Sequence, residues 1–172
     1  NKGLEIIEAA RLFFATEEQI EVVIHRESMV HSMVEFEDGA VIMQMSRPDM
    51  RLCIQYALTY PDRVPSLTPP VDFSAIKPLT FGQPDRKMFP LLDTACYALH
   101  CGGVIPTVFN AANEVAVDAF LHGSLRFTEL FDIVDDTVRA YPAASSAAPD
   151  IAAVNETDCI ARSLTREAIS RL

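Results

Sequence analysis

The sequence predicts an α+β fold in which a β-hairpin precedes a C-terminal four-helix bundle. An Asp38-Gly39 pair lies between two apolar-rich arms, which is the strongest short-range signal for a hairpin. The second half of the chain repeats apolar residues at helical spacing in four successive segments. With 172 residues, of which 49% are hydrophobic and 22% charged, the chain can form one well-packed core or two small domains.

The first predicted element is a helix from Gly3 to about Phe14, because Leu4, Ile7 and Phe14 recur near helical spacing. Residues 19–25 are rich in β-branched side chains and predict a strand.

In the predicted hairpin, Asp38 and Gly39 form a two-residue turn that requires positive φ. This turn pairs Phe36 with Val41, and we expect one face of the hairpin to belong to the core and the other to be mixed. The same register gives the remaining pairs: Glu35 with Ile42, Val34 with Met43, Met33 with Gln44, Ser32 with Met45 and His31 with Ser46.

A further helix is predicted to have Pro48 at its first position and to stop just before Pro61. Prolines interrupt residues 61–85 and predict an ordered connector, since a flexible linker would be more polar. Apolar side chains such as Phe73 and Phe81 are expected to make its short contacts.

The four helices of the predicted bundle lie within residues 86–172, and the loops between them are short. Residues 142–150 are predicted as a loop. The expected helices are Met88 to His100, Thr107 to His122, Thr128 (as N-cap) to Tyr141, and a last one that starts at Asn155 to Asp158 and includes Ala168.

The net charge of −10 argues against non-specific binding to nucleic acid or to a membrane surface, because phosphate attraction requires clustered Lys and Arg. No apolar run approaches the roughly 20 residues that span a bilayer. The first residue is Asn, so we expect a processed or partial sequence. None of the four cysteines forms a Cys-x-x-Cys pair, and we expect mostly buried, reduced thiols in a reducing compartment.

The stretch Asn1-Lys-Gly-Leu-Glu5 is the strongest candidate for chemistry. A helix that begins near Gly3 directs unpaired N–H groups forward, and Lys2 adds a cation there, which suits a phosphate monoester. Glu5 is four residues past Asn1, and its carboxylate suits a hard cation such as Mg²⁺ or Mn²⁺, although one carboxylate is not enough to hold it. On the residues alone, the favoured alternative is an exposed helix start where Glu5 only interacts with the dipole.

Two histidines are candidate metal ligands. His25 and His31 are six residues apart, which is no standard metal motif, and a hydrogen-bonded histidine in the sheet is favoured for both. His31 is the better functional candidate because Glu35 and Gln44 are predicted on its face.

Polar residues of the bundle are predicted to be structural. His100 and His122 lie near helix C-termini, where a partly protonated imidazole interacts favourably with the dipole. Asn110, Asn113 and Glu114 share one side of a helix and are expected to join it to a neighbour, a ligand contact being the less favoured alternative.

Several blocks of the sequence, in order, resemble the 1-deoxy-D-xylulose 5-phosphate reductoisomerase family. The resemblance runs from Asn1 to about Leu130 and continues more weakly to the end. The blocks are NKGLEIIEA, VVIHRESMVHSMVEFEDGAVIMQM, PDMRLCIQYALTYPDRV, LTFGQPD and PTVFNAANEVAVDAFLHGSLRFTEL.

The resemblance implies an enzyme with an N-terminal Rossmann domain for NADPH, a mixed-sheet catalytic domain and a C-terminal four-helix bundle. Residues 1–60 would then be the last part of the catalytic domain, 61–85 a proline-rich connector and 86–172 the bundle. It also implies a homodimer, located in the cytoplasm of a bacterium or in a plastid of a eukaryote. The implied reaction is NADPH-dependent rearrangement and reduction of 1-deoxy-D-xylulose 5-phosphate to 2-C-methyl-D-erythritol 4-phosphate in isoprenoid biosynthesis.

The same resemblance implies roles for individual residues. Asn1 and Lys2 would hold the phosphate end and the hydroxyls of the sugar-phosphate substrate. Glu5 would be a ligand of the divalent metal, Mn²⁺ or Mg²⁺, and would also contact the substrate. Met50, in the Pro-Asp-Met stretch, would make an apolar contact near the nicotinamide.

The sequence also departs from the family pattern. It contains no glycine-rich dinucleotide fingerprint after a strand, and the family's Asp-Ser-Glu metal motif and histidine-bearing lid would lie upstream of Asn1. Arg26 and Glu27 replace the usual Pro-Gln and are expected to loosen that turn. The chain alone is therefore expected to be inactive. The alternative is a free-standing α+β interaction module that keeps Asn-Lys-Gly-Leu-Glu as a relic.

Overall fold

The structure, a computed structural model, describes residues 1–142 and 148–172. It confirms the α+β class. Within the described residues no helix is both long and apolar enough to cross a bilayer. The elements are α1 (Lys2–Phe13), β1 (Val30–Glu35), β2 (Val41–Met45), α2 (Met50–Thr59), α3 (Leu91–Cys101), α4 (Ile105–Leu121), α5 (Phe127–Ala140) and α6 (Ile151–Ser170), with a short 3₁₀ turn at Glu17–Gln19.

Contacts divide the chain into two units. Residues 1–22 and 85–172 form a helical unit, and residues 23–84 form a hairpin unit. Residues 1–22 belong to the helical unit because α1 packs on α3. The domain boundaries at 60 and 85 stay predictions, and the packing within this chain follows a different division.

In the helical unit, α4 contacts α3, α5 and α6 around a core of small and β-branched residues. Ala95, Val108, Val134 and Ala161 are completely buried. Small side chains at these positions let the helix backbones approach closely, and the β-branched ones fill the space between them.

The helix starts of this unit differ from the predictions. α5 has Arg126 rather than Thr128 at its N-cap, and the Glu129 carboxylate accepts a hydrogen bond from the Arg126 N–H at 2.8 Å. α6 begins at Ile151, before the predicted start, because the Asp150 carboxylate accepts from the Ala153 N–H at 2.7 Å. The loop predicted at 142–150 lies partly outside the described residues, which omit 143–147.

The hairpin in the second unit forms, but the predicted register is wrong by one residue. Phe36 donates its N–H to Ala40 O at 2.9 Å, and Gly39 donates to Phe36 O at 2.9 Å. The loop therefore has three residues, with Gly39 at φ 81°, as in a hairpin closed by a glycine bulge. The observed pairs are Glu35 with Val41, Val34 with Ile42, Met33 with Met43, Ser32 with Gln44 and Val30 with Met45.

The prediction that one hairpin face belongs to a core is also wrong for this chain. Apolar side chains on both faces are exposed: Val34 by 58%, Ile42 by 64% and Met43 by 44%. Val30 at the start of β1 is buried. A two-stranded sheet has too little area to bury its own faces.

The strand predicted at residues 19–25 is absent from the described residues, apart from one bridge. Ile24 exchanges hydrogen bonds with Gly82 at 2.7 and 2.9 Å. β-branched residues favour extended backbone, but a strand also needs an adjacent strand along its whole length. Here the only pairing of this segment among the described residues is the bridge between Ile24 and Gly82.

Helix α2 begins at Met50, two positions later than predicted. Pro48, predicted as its first residue, lies before the N-cap Asp49, whose carboxylate accepts from the Arg51 N–H at 3.0 Å. The connector that follows is ordered by hydrogen bonds to α2, as Gln55 bonds both Pro65 O at 2.7 Å and the Leu67 N–H at 3.1 Å. The connector is predicted to make apolar contacts through Phe73 and Phe81. The prediction is wrong for Phe73, because its side chain is 78% exposed.

Candidate functional site

The first turn of α1 presents Lys2 and Glu5 together on the surface. The Lys2 Nζ lies 2.6 Å from Glu5 Oε2, and their side chains are 59% and 51% exposed. Asn1 occupies the N-cap position, where its carbonyl accepts the Glu5 N–H at 2.9 Å. The side chain of Asn1 makes no capping hydrogen bond, so its amide is not committed to the helix.

This arrangement combines three features that favour an anionic ligand with a metal beside it. The helix start supplies unpaired N–H groups and a partial positive charge. The ammonium of Lys2 adds a full positive charge at the same end, while the Glu5 carboxylate supplies oxygen ligands suited to a hard cation. The structure therefore brings together Asn1, Lys2 and Glu5, as the sequence predicts, on a solvent-facing surface.

The chain supplies only part of a metal site. Across residues 1–142 and 148–172, no group of three or more His, Cys, Asp or Glu side chains is placed to hold a metal ion. Glu5 fits as one oxygen ligand among several, because its carboxylate is half exposed and is held only by a surface ion pair.

The opposite side of α1 is buried in the helical unit. Gly3, Ile6 and Ala10 recur at helical spacing and form the buried stripe of α1. Leu4 and Ile7 are partly buried against the same core. The charged turn is thus carried by a helix whose position is set by packing on its other side.

Met50 is the first residue of α2, and its side chain is 70% exposed. Its neighbours Pro48 and Asp49 border a cavity of about 600 Å³ in residues 23–84. Asp49 forms hydrogen bonds with the Arg51 guanidinium and N–H, and these lower the pKa of its carboxyl to about 2. The exposed side chain is available for an apolar contact, and the role that the resemblance implies for Met50 stays a prediction.

The two histidines of the hairpin unit make different hydrogen bonds. His25 is fully engaged: its Nδ1 lies 2.9 Å from Thr80 O, its Nε2 accepts the Met29 N–H at 3.2 Å, and its ring stacks on Phe81 at 4.6 Å. His25 is therefore a hydrogen-bonded histidine, as favoured by the sequence, but it lies in a loop rather than in a sheet.

The predicted surroundings of His31 are wrong in part. The observed register pairs Gln44 with Ser32, so Gln44 lies on the face opposite Glu35. Ser46 Oγ instead links His31 Nδ1, at 3.5 Å, with the Gln44 amide, at 3.3 Å.

The turn at Arg26 and Glu27, expected to be loosened, is closed in the structure. Ser28 donates its N–H to His25 O at 3.2 Å. The Glu27 carboxylate accepts from the Thr80 hydroxyl at 2.7 Å and from its N–H at 3.2 Å, and these bonds lower the pKa of Glu27. Glu27 thereby ties the turn to the connector.

Arg162 is a structural residue that sequence reasoning missed. Its guanidinium donates to Asp158 at 2.7 Å and also bonds Glu114, which accepts from Asn110 at 3.3 Å. Asp158 and Asn110 border a cavity of about 410 Å³ together with Leu4 of α1. The spacing of four residues between Asp158 and Arg162 was the available signal. The expectation of a link from α4 to a neighbour is met by Glu114, which bonds Arg162 of α6, whereas Asn110 bonds Glu114 within α4.

The remaining candidates are two histidines near helix ends and the four cysteines. His122 lies at the C-terminus of α4, with its Nδ1 2.9 Å from Asp118 O. His100 lies in the last turn of α3, as predicted. All four cysteines are free thiols, but the expectation that most are buried is wrong, because Cys53 and Cys159 are exposed and Cys96 and Cys101 are only half-buried.

Comparisons with known proteins agree on one family. The family model described as "DXP reductoisomerase C-terminal domain" matches residues 45–164. Relatives described as 1-deoxy-D-xylulose 5-phosphate reductoisomerase include one from Cupriavidus necator, 47% identical over the whole chain, and one from Pelotomaculum thermopropionicum, 49% identical over 95% of it. The chain covers 43% and 42% of these two relatives.

Solved structures give the same result. The reductoisomerase from Zymomonas mobilis in complex with NADPH matches the whole chain with a TM-score of 0.91 and 38% identity, over 45% of its own length. A DOX-P reductoisomerase in complex with NADPH, fosmidomycin and magnesium matches 99% of the chain with a TM-score of 0.94 and 36% identity, over 43% of its length. The chain thus spans less than half the length of these relatives, and by sequence and by fold it belongs to the DXP reductoisomerase family.

Proposed function

We propose that this chain is the C-terminal portion of an enzyme that rearranges 1-deoxy-D-xylulose 5-phosphate and reduces it with NADPH to 2-C-methyl-D-erythritol 4-phosphate, in isoprenoid biosynthesis. The observation that carries this proposal is the intact Asn-Lys-Gly-Leu-Glu turn, exposed at the start of α1 in a chain of this family. The solved relatives with NADPH, fosmidomycin and magnesium support the ligand classes.

In this proposal, Lys2 and the start of α1 bind the phosphate of the substrate. The ammonium and the unpaired N–H groups favour a dianion at the same place. The amide of Asn1, which makes no cap to the helix, is available to the substrate's hydroxyls or phosphate. Binding the phosphate here orients the ketose relative to Glu5, three residues further along the helix.

Glu5 is proposed as one ligand of Mg²⁺ or Mn²⁺ and as a contact to substrate oxygens. When bound, such a cation supplies Lewis-acid polarisation of neighbouring ketose oxygens. The described residues provide one suitable carboxylate, so the other ligands are proposed to belong to the rest of the enzyme. Met50 is proposed to make an apolar contact to the nicotinamide, for which its exposed side chain is available.

The test is to express the intact protein that contains this chain and to measure substrate-dependent oxidation of NADPH. We expect activity with Mg²⁺ or Mn²⁺ and loss of activity when the metal is chelated. Absence of substrate-dependent NADPH oxidation in a folded, metal-supplemented protein would overturn the proposal.

The alternative is a free-standing α+β interaction module without catalysis. The coding sequence upstream of Asn1 separates the two. A continuous frame with a glycine-rich βαβ unit and an Asp-Ser-Glu stretch supports the enzyme, whereas a start codon at Asn1 supports the module.

We further propose a homodimer located in the bacterial cytoplasm or in a plastid. Both proposals rest on the resemblance to the family. The exposed apolar side chains of the hairpin, including Val34 and Ile42, are compatible with a surface that another polypeptide segment covers. The molar mass of the intact protein in solution, measured by light scattering, tests the dimer.

A further inference from the structure

We propose that Gly3 is a positioning residue, whose missing side chain lets α1 lie against α3 at the distance that places Lys2 and Glu5 for the reaction. This inference rests on the proposed function, because it concerns the placement of the proposed phosphate and metal ligands. It assigns the helical unit a part in building the active site.

The space around Gly3 is closed on the side of α3. A Cβ added at Gly3 would lie 2.8 Å from Ala95 Cβ and 3.1 Å from Leu91 O, both in α3. It would also lie 3.3 Å from Phe109 Cζ in α4. Ordinary contact between carbon atoms is about 3.5–4.0 Å, so any larger residue has to move α1 away from α3 by about 1 Å.

The neighbours of Gly3 have little freedom to yield. Ala95 is completely buried, and its Cβ is fixed by the backbone of α3. The Leu91 carbonyl belongs to the same helix backbone. A larger side chain at Gly3 therefore displaces the helix that carries it, since close-packed interiors do not absorb an added methyl group without a shift.

The backbone of Gly3 does not itself require glycine. Gly3 lies within α1 and is not among the glycines with positive φ. Glycine is one of the least favourable residues inside a helix, so by local propensity alanine would be the better choice. Close packing against α3, rather than chain conformation, is what explains glycine at this position.

The displaced helix would carry both ligands with it. Lys2 and Glu5 belong to the same turn as Gly3 and are exposed on the opposite side of α1. Misplacing reacting groups by about 1 Å costs on the order of 100-fold in rate. A change at Gly3 should thus affect phosphate and metal functions together, although Gly3 has no side chain that could contact either the phosphate or the metal.

The test uses the intact enzyme with Gly3→Ala, with the double change Gly3→Ala/Ala95→Gly, and with Gly82→Ala as a matched control. A Cβ at Gly82 meets no atom within 4 Å. At a temperature where each variant is folded, we expect Gly3→Ala to lower kcat/KM by about 100-fold. The same variant should raise both the substrate KM and the metal concentration needed for half-maximal rate. Ala95→Gly should partly restore all three, and Gly82→Ala should change none.

The opposite results overturn the inference. Unchanged kcat/KM in folded Gly3→Ala, even with a lowered thermal midpoint, would show a purely structural role. If Gly3→Ala does not fold, recovery of a folded, active enzyme by Ala95→Gly supports the inference and failure to recover overturns it. An inactive wild-type enzyme would instead refute the proposed function, and the thermal midpoints of the three variants would still test the contact between Gly3 and Ala95.

Discussion

The ammonium of Lys2 lies 2.6 Å from the carboxylate of Glu5, so the two charges assigned to phosphate and metal neutralise each other in this chain. Both side chains are more than half exposed, and exposed pairs of this kind contribute about 0–1 kcal/mol. A dianionic phosphate and a divalent cation can therefore separate the pair at little cost. We then expect Lys2 to affect substrate binding and Glu5 to affect the metal-dependent reaction, and steady-state kinetics can distinguish these two effects.

Lys2→Ala is expected to raise the substrate KM of the intact enzyme by about 10- to 100-fold, the usual effect of losing a hydrogen bond to a charged group. The phosphate charge is the same in the ground and transition states, so the metal dependence should stay nearly unchanged. Steady-state kinetics at several Mg²⁺ concentrations measures both. Lys2→Arg, which keeps the charge, is the control, and an unchanged KM in Lys2→Ala would contradict the role of Lys2.

Glu5→Gln is expected to lower kcat by orders of magnitude and to raise the metal requirement. The change keeps the shape of the side chain but removes a negative ligand from the ion that stabilises developing charge. Titration of the variant with Mn²⁺ and Mg²⁺ checks this expectation. Near-normal kcat at low metal would instead mean that Glu5 only interacts with the helix dipole, which is worth a few tenths of a kcal/mol of stability.

Gly39→Val is expected to lower the free energy of unfolding by about 1–3 kcal/mol, because a β-branched residue is strained at positive φ. A Cβ at Gly39 meets no atom within 4 Å, so the cost is conformational rather than steric crowding by neighbours. Gly39→Asn is the matched control, since asparagine tolerates this conformation better. Equal thermal midpoints for the Val and Asn variants would contradict the observed turn.

The carboxyl of Asp49 should titrate near pH 2 rather than at its ordinary pKa of 3.8, because it bonds the Arg51 side chain and N–H. The folded pKa lies below the unfolded one. The stabilisation is therefore complete above about pH 4 and is lost as the pH falls from 3.8 towards 2. NMR titration of the Asp49 carboxyl carbon measures this directly. Arg51→Ala should move the pKa back towards 3.8, and an unchanged pKa in that variant would refute the cause.

The 172-residue chain alone is expected to bind NADPH negligibly, because its sequence contains no glycine-rich dinucleotide fingerprint. Calorimetry with NADPH checks this, with the intact protein as the positive control. Micromolar binding to the chain alone would show a nucleotide site that the sequence does not reveal.

The sequence alone predicted the elements whose signals are local. Helix α1 and the helices from α3 to α6 follow apolar repeats at helical spacing, and Asp38-Gly39 marked the hairpin. Asn-Lys-Gly-Leu-Glu also placed Asn1, Lys2 and Glu5 on one turn. The roles of these three residues and of Met50 stay predictions, because the position of a side chain does not by itself show which ligand it binds.

Hydrogen bonds and packing that the sequence pattern does not specify decided the rest. The hairpin register depended on whether Phe36 bonds Ala40 across a three-residue loop, an alternative that the Asp-Gly signal does not distinguish from a two-residue turn. The strand expected at residues 19–25 does not form, because no adjacent strand among the described residues pairs with it beyond the bridge at Ile24. The sequence pattern does not show whether such a strand is present. By helix propensity, glycine is an unfavourable residue at position 3. The close packing of Gly3 against Ala95 explains why glycine is present there. Local propensity thus determined which segments are helical. The hydrogen bonds of one loop and of the helix caps determined the hairpin register and the helix starts, and packing between α1 and α3, far apart in the chain, determined the placement of the charged turn.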